Sequence, residues 1–274
     1  MNPILLIANK EIQESIRNRW VVALTCLLAI FALTLAFLGA APTGLVKASA
    51  LAVTVVSLSS LSIFLLPLIG LLLAYDAVVG EAERGTLALL LAYPVARWQV
   101  ILGKFAGHVS ILAFATVVGY GTAGLVVSIV SHSDAAWPSF ALMIGSSVLL
   151  GAAFVAIGYV ISVLAGDRGA GGGLAIGVWL LFVLIFDMML LGVLVADQGR
   201  MITAGMVNWA LLLNPADAYR LLNLAGTSDV RMFSGMSGLA QQVHFGVTSL
   251  LFVMALWVVV PLSTAVALFA RREI

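Results

Sequence analysis

Tyr75-Asp76-Ala77-Val78-Val79-Gly80-Glu81-Ala82-Glu83-Arg84-Gly85-Thr86-Leu87-Ala88-Leu89-Leu90-Leu91-Ala92-Tyr93-Pro94-Val95-Ala96-Arg97, running on to Gly103-Lys104, is the longest charged interruption in the first two thirds of an otherwise apolar chain. Residues 86–93 read as a very apolar helix of roughly 12 Å at about 1.5 Å per residue, far too short to cross a bilayer. The Tyr93-Pro94 step disfavours helix at Tyr93, and Pro94 suits the first turn of a new helix running through Arg97 into the apolar run beyond Lys104. A helical elbow at a membrane surface, spanning 76–104, is the expectation, and apolar runs flank it on both sides.

Composition supports that setting. The chain has 274 residues, 63% hydrophobic and only 9% charged, whereas about a quarter of a soluble protein is charged. It reads as an all-α integral membrane protein. Thirteen basic against 12 acidic residues leave no basic excess for nucleic acid. The one cysteine, Cys26, lies in the first apolar run, so neither a disulfide framework nor a thiolate metal cluster can form.

Outward from the elbow, the N-terminal 1–19 read as an amphipathic interfacial helix, opened by Asn2-Pro3. Its apolar stripe is Leu5, Ala8, Ile12, Ile16 and Trp20, with Lys10, Glu11, Glu14 and Arg17 elsewhere. Residues 20–274 then form one transmembrane domain with about six spans: 20–39, 50–74, 105–130, 140–165, 174–196 and 246–270. The first run, about 20 residues, exceeds a signal-peptide core and reads as an uncleaved anchor. Pro67 kinks the second span unless a neighbour satisfies the freed carbonyl. With the N-terminus cytoplasmic, Lys10, Arg17, Arg19, Arg84, Arg97, Lys104, Arg168, Arg271 and Arg272 lie inside. Lys47, Arg200, Arg220 and Arg231 lie outside, which satisfies the positive-inside bias and puts both termini and the elbow in the cytoplasm.

Small residues at Ala115, Gly119, Ala123, Ala152 and Ala156, with Gly145, Gly151 and Gly158, favour close helix packing. No internal repeat is evident, against an inverted-repeat carrier. Gly103-Lys104 is followed by Phe105 and lacks the upstream glycine of a P-loop, so the chain is not itself an ATPase. The Gly169 to Gly173 run follows no strand and reads as a flexible turn. Protease-type motifs are missing as well.

The elbow resembles the inner-loop signature of type-two ABC exporter permeases, an E-x-E-x-G-T-L stretch followed by leucines, Pro-Val and an Arg. Glu81, Glu83, Gly85, Thr86, Leu87, Pro94, Val95, Arg97 and Lys104 match it, and Ala82 and Ala88 depart from it. In that family the elbow is a coupling helix docking on a separate ATPase. The resemblance implies an ATPase-coupling set of Glu81, Glu83, Arg84, Gly85, Thr86, Leu87, Pro94, Arg97 and Lys104, with ATP-Mg on the partner and no cofactor on this chain. The charges would meet the ATPase outside the bilayer while the leucines hold the helix against its own spans. A full-length similarity extends to the branch that supports maturation of nitrous-oxide reductase. It is carried by the stretch from Ala8-Asn9-Lys10-Glu11 to Trp20, by the elbow, and by Leu213-Asn214-Pro215-Ala216-Asp217-Ala218-Tyr219-Arg220. That similarity implies a homodimer in the bacterial inner membrane, two ATPase copies inside and a periplasmic partner outside. The implied task is export of a sulfur species for the copper-sulfide centre, or mechanical work on a copper-donating partner.

The outer segment 197–245 is too long for a simple turn. Trp209, Leu211, Leu212 and Leu213 predict a re-entrant or interfacial helix, with a second over 215–224. Met201, Met206, Met232, Met236 and His244 are of copper-ligand type but lack regular spacing, which favours adaptable apolar contact with membrane or partner. Asp187 is the one acid well inside a span, at a cost of about 2.5–3.5 kcal/mol, so it is either a conduit group or bonded to a neighbouring helix. Asp76 and His108 read as interfacial, and His132 with Asp134 as a solvated pair. An ion-coupled carrier or channel centred on Asp187 is the rival reading, and a force-transmitting scaffold without a conduit the third.

Overall fold

The structure, a computed structural model, describes residues 2–17, 19–39, 50–131, 137–197, 201, 203–226 and 245–272, and among these no strand occurs. The helices are α1 (Pro3–Arg17), α2 (Trp20–Gly39), α3 (Ala50–Ala74), α4 (Val79–Glu83), α5 (Thr86–Leu91), α6 (Arg97–Ser131) and α7 (Trp137–Leu164). They are followed by α8 (Arg168–Leu180), a π-helical turn (Leu181–Ile185), α9 (Phe186–Asp197), α10 (Ala204–Leu211), α11 (Pro215–Gly226) and α12 (Val247–Arg271). Among the described residues, five runs are long and apolar enough to cross a membrane: Thr54–Glu83, Arg97–Val130, Trp137–Leu164, Arg168–Asp197 and Val247–Arg271. A sixth is reached by counting the pair α1 and α2, which is bent by 70°. Arg19 sits near that bend with φ 57°, in the left-handed region that a non-glycine residue enters at a cost of about 1–2 kcal/mol.

α7 is the central post. Of its apolar stretch 72% is buried, against 6% for Arg168–Asp197, so the first is protein-enclosed and the second presents its face outward. α3 and α12 pack most extensively on α7, while α1 and α2 lie along α6. Lipid tails are as apolar as leucine, so helices gain by close contact rather than by leaving water, and small residues permit it. A Cβ on Gly158 would lie 2.7 Å from Ala74 Cβ, and one on Gly119 would lie 2.9 Å from Leu28 Cβ. The small faces read from the sequence are therefore packing faces, apart from Gly145, which is exposed with nothing within 4 Å of an added Cβ.

Pro67 stays inside a continuous α3. The Trp179 indole donates to the Phe64 carbonyl at 3.0 Å, next to the carbonyl that the proline leaves without its usual donor. The third span begins earlier than expected, at Arg97, and at about 1.5 Å per residue it runs roughly 50 Å, longer than a hydrocarbon core of about 30 Å. Lys104 lies two turns inside this helix, which runs through Arg97 into the apolar run as expected. Pro94, expected in its first turn, precedes it. It sits in a tight turn closed by Val95 N–H to the Tyr93 carbonyl at 2.7 Å, and the helix is capped by Gln99, whose Oε1 accepts from Ala96 N–H at 3.0 Å.

On the side away from the elbow, α10 runs in and α11 runs back out as a re-entrant hairpin. Residues 215–224 are buried apart from Arg220, among α3, α7 and α12. The hairpin turn lies as deep as Trp257, about 15 Å along α12 from Val247, and the Trp257 indole satisfies the Leu212 carbonyl at 3.0 Å. Irregular backbone survives at that depth only when protein supplies such partners.

Candidate functional site

The elbow is built at the break where α3 ends. Backbone N–H groups of Val78 and Val79, which the break frees, both donate to Ser162 Oγ on α7, at 2.9 and 3.1 Å. α4 then closes at Gly85, whose φ of 72° is open to glycine and strained for other residues. Thr86 Oγ1 donates to the Glu81 carbonyl across that corner at 3.3 Å. Leu87 plugs α5 into the bundle, being 1% exposed, while Leu89 at 68% and Tyr93 at 69% point away from it. The leucines thus divide between anchoring and exposure, where the sequence reading had them all anchoring.

Beneath this surface lies a charge cluster. Lys104, 2% exposed, donates from Nζ to Glu11 Oε1 at 2.6 Å and to Glu81 Oε1 at 2.8 Å. His108 Nε2 stands 3.6 Å from Glu11 Oε2, and its Nδ1 meets the Tyr159 hydroxyl of α7 at 2.8 Å. α1 reaches this depth because α6 is bare where they cross: a Cβ on Gly103 would lie 2.7 Å from Ile7 Cβ, and one on Gly107 the same distance from Glu11 Cβ. Three expectations are corrected here. Glu81 and Lys104 do not face outward, since they pair with each other, and Lys104 also with Glu11, inside the protein. His108 is buried rather than interfacial. Glu11 lies on the inward face of α1 with Ile7 and Ala8, while Leu5 and Ile16 of the expected stripe are exposed.

Burial by itself would raise the Glu11 carboxyl, but Lys104, and behind it His108 and Lys10, hold it below its ordinary 4.5. A lowered carboxyl takes up its proton more readily unfolded than folded. Its stabilising contribution is therefore complete above pH 4.5 and lost as pH falls through the folded value. Thermal unfolding of the purified protein, followed downward from neutral pH, is expected to show this loss, and Glu11→Gln to diminish it.

A second, more exposed network rims the elbow. Arg168 pairs with Asp76, donating from Nη2 to Oδ2 at 2.8 Å with Nε in ion-pair contact 2.7 Å from Oδ1, and its backbone N–H donates to Glu83 Oε1 at 2.9 Å. Arg84 Nη1 stands 3.8 Å from Asp76 Oδ2. Arg97 turns from the expected outward position to the end of α12, where Nη1 donates to the carbonyls of Phe269, Ala270 and Arg272. Arg272 does the same for α7, donating from Nη1 to the Ser162 and Val163 carbonyls and from Nη2 to that of Ala165. Each guanidinium satisfies last-turn carbonyls and meets the negative end of a helix dipole. Of the coupling set, Glu83, Arg84, Gly85, Thr86 and Pro94 remain on the open surface.

On the far side, Asp187 pairs with Arg220 Nη2 at 3.1 Å, and Arg220 Nη1 holds Asp217 Oδ1 at 2.7 Å. Asn214 caps α11, accepting from Ala216 N–H at 2.9 Å, and its amide donates to Asp217 Oδ2 at 2.8 Å and to the Phe182 carbonyl at 2.7 Å. Phe182 lies in the π-turn, a geometry that leaves a carbonyl available for such a bond. This is the second of the two expected readings of Asp187, an acid bonded to a neighbouring helix; the sequence reading did not name Arg220 as the partner, although it follows the Asn-Pro helix start. Met201 and Met206 are exposed, at 82% and 60%. Met232, Met236, His132, Asp134 and His244 lie outside the described residues.

The elbow lies between two spans, with its inner face bonded to the bundle and its outer rim open. Residues 5–274 match the family described as ABC-2 family transporter protein, and the chain belongs to that family. It is a multi-pass permease subunit of an ABC transporter, a class that works with an ATPase. Within that family it is similar to a Pseudomonas aeruginosa protein named "Probable ABC transporter permease protein NosY", 44% identical over 277 residues that cover 100% of both chains. A protein of the same name from Stutzerimonas stutzeri is 44% identical over 276 residues, covering 99% of each.

Proposed function

We propose that the open rim of the elbow, formed by Glu83, Arg84, Thr86, Leu89, Tyr93 and Pro94, receives a separate ATPase, and that its stroke rearranges the spans. Glu81, Leu87, Arg97 and Lys104 serve the same coupling from within, fixing the rim to α1, α6 and α12. The observation that carries this reading is the division of the elbow into a buried half, bonded to four helices, and an exposed half bearing both charges and large apolar groups. A surface so held transmits a push rather than absorbing it.

In this reading the elbow and both termini face the cytoplasm of a bacterial inner membrane, in keeping with the distribution of basic residues. Two copies of the subunit pair, each with one NosF-like ATPase that carries ATP-Mg, and a NosD-like protein meets the periplasmic side. The outward face of Arg168–Asp197 offers room for the second copy. The task is maturation of the copper-sulfide centre of nitrous-oxide reductase, through export or mechanical work. That assignment leans on the names of the similar proteins. The carrier alternative loses its main support, since Asp187 is committed to Arg220.

Reversing the rim charges together, Glu83→Lys with Arg84→Glu, is expected to weaken capture of the ATPase from detergent by about tenfold or more through like-charge contacts. Undiminished copurification would sink the assignment of this rim.

A further inference from the structure

Of the features on the elbow side, the Lys104 cluster is the one whose chemistry exceeds what an anchor requires. α1 buries only Ile7, Ala8 and Glu11, so its seat on α6 depends heavily on one carboxylate. Glu81 is held mainly by the same ammonium. Its Oε2 has no hydrogen-bond partner among the described residues, and Lys10, half exposed, stands 3.7 Å from Oε1. An inert joint in this position would be stronger if built of apolar side chains, because burying charges costs nearly as much as their attraction returns. What a buried ion bridge supplies instead is a single defined geometry with directional bonds, made here from three separate elements at one nitrogen.

We propose that Lys104 is a positioning residue for coupling: by bridging Glu11 of α1 to Glu81 of α4 from within α6, it makes the N-terminal helix, the elbow and a spanning helix move as one body. The N-terminal helix is then a working part of the coupling apparatus rather than only a surface anchor. Gly103 and Gly107 on either side of Lys104 let α1 lie close enough for the bridge to form, and the His108 bond to Tyr159 carries the cluster on to the central helix α7. A push on the exposed rim thereby reaches α6 and α7 without passing through the Gly85 corner alone. This rests on the reading that an ATPase docks at the elbow.

The test uses the full chain reconstituted with its ATPase. In the triple variant Glu11→Gln, Glu81→Gln, Lys104→Met no charge is stranded, so the chain is expected to fold, which its elution as a single species in detergent checks. The ATPase is expected to copurify as with the wild type and its KM for ATP to stay the same. The hydrolysis rate stimulated by the permease is expected to fall about tenfold, within the range that network substitutions change coupling. Lys104→Arg, which retains the charge, keeps most of the stimulation. Glu11→Gln, which leaves Lys104 an acceptor and folds whether or not the triple does, gives an intermediate fall. Wild-type stimulation in the triple, or in Glu11→Gln when the triple does not fold, overturns the proposal, as does a Lys104→Arg variant no better than the triple. If the wild-type subunit itself captures no ATPase, the docking reading falls and this inference with it. Intact capture with unchanged stimulation removes the bridge alone.

Discussion

Lys104→Met is expected to destabilise the protein by about 3–5 kcal/mol, the range for removing one partner of a buried ion pair. The loss follows from what is left behind. Glu11 and Glu81 both point at Nζ, at 2.6 and 2.8 Å, and neither carboxylate can reach water without α1 or the elbow moving. Neutralising both acids in the same chain should return most of the stability, because the cost comes from stranded charge and not from the missing attraction. Lys10→Met makes the contrasting control. Its side chain is 48% exposed, with Nζ 3.7 Å from Glu81 Oε1, so its removal should cost about 0–1 kcal/mol, as for surface pairs. Thermal or denaturant unfolding in detergent reads all of these. A Lys104→Met protein as stable as the wild type would mean that the cluster is open to water.

Arg220→Leu is expected to cost about 2–3 kcal/mol, somewhat less than a fully enclosed pair because the guanidinium is partly exposed. Here the stranded group is Asp217, 1% exposed, which loses the guanidinium and keeps the Asn214 amide. Adding Asp217→Asn should recover most of the loss. Asp187→Asn is expected to be mild, since Asp187 is the more exposed of the two acids and an asparagine still accepts from Arg220. The same variant separates the readings of this acid. A group seating the re-entrant hairpin tolerates the amide with coupled activity intact, whereas a conduit acid loses function with stability unchanged.

Much of the candidate site was legible in residues 76–104 because the signal there is local. A leucine run too short to span, the Gly85 corner and the Pro94 break are properties of neighbouring residues, and each appears in the structure at or near its expected place. Which side of the elbow each charge takes was not legible. Glu81 and Glu83 are two residues apart, so on a helical turn they point in different directions. Only the arrival of Lys104 from α6 and Glu11 from α1 decides that Glu81 is the buried one. The same holds for Arg97, where the deciding partner is a helix end 172 residues away in sequence.

The far side shows the limit from another direction. Asn214-Pro215 announced a helix start, and the helix is there, yet nothing local says that it is inserted among α3, α7 and α12. Nor does any local pattern announce the π-turn at Leu181–Ile185, since its freed carbonyl has meaning only once Asn214 has come to meet it.

What the amino-acid order settled alone was the membrane setting, the positions of the spans, and the short elbow between the second and third, because hydropathy and helix breaking act over a few turns of chain. Tertiary structure alone decided which charges are tools and which are fastenings: in a low-dielectric interior a charge must find its opposite, and here the opposites come from helices that meet only after folding.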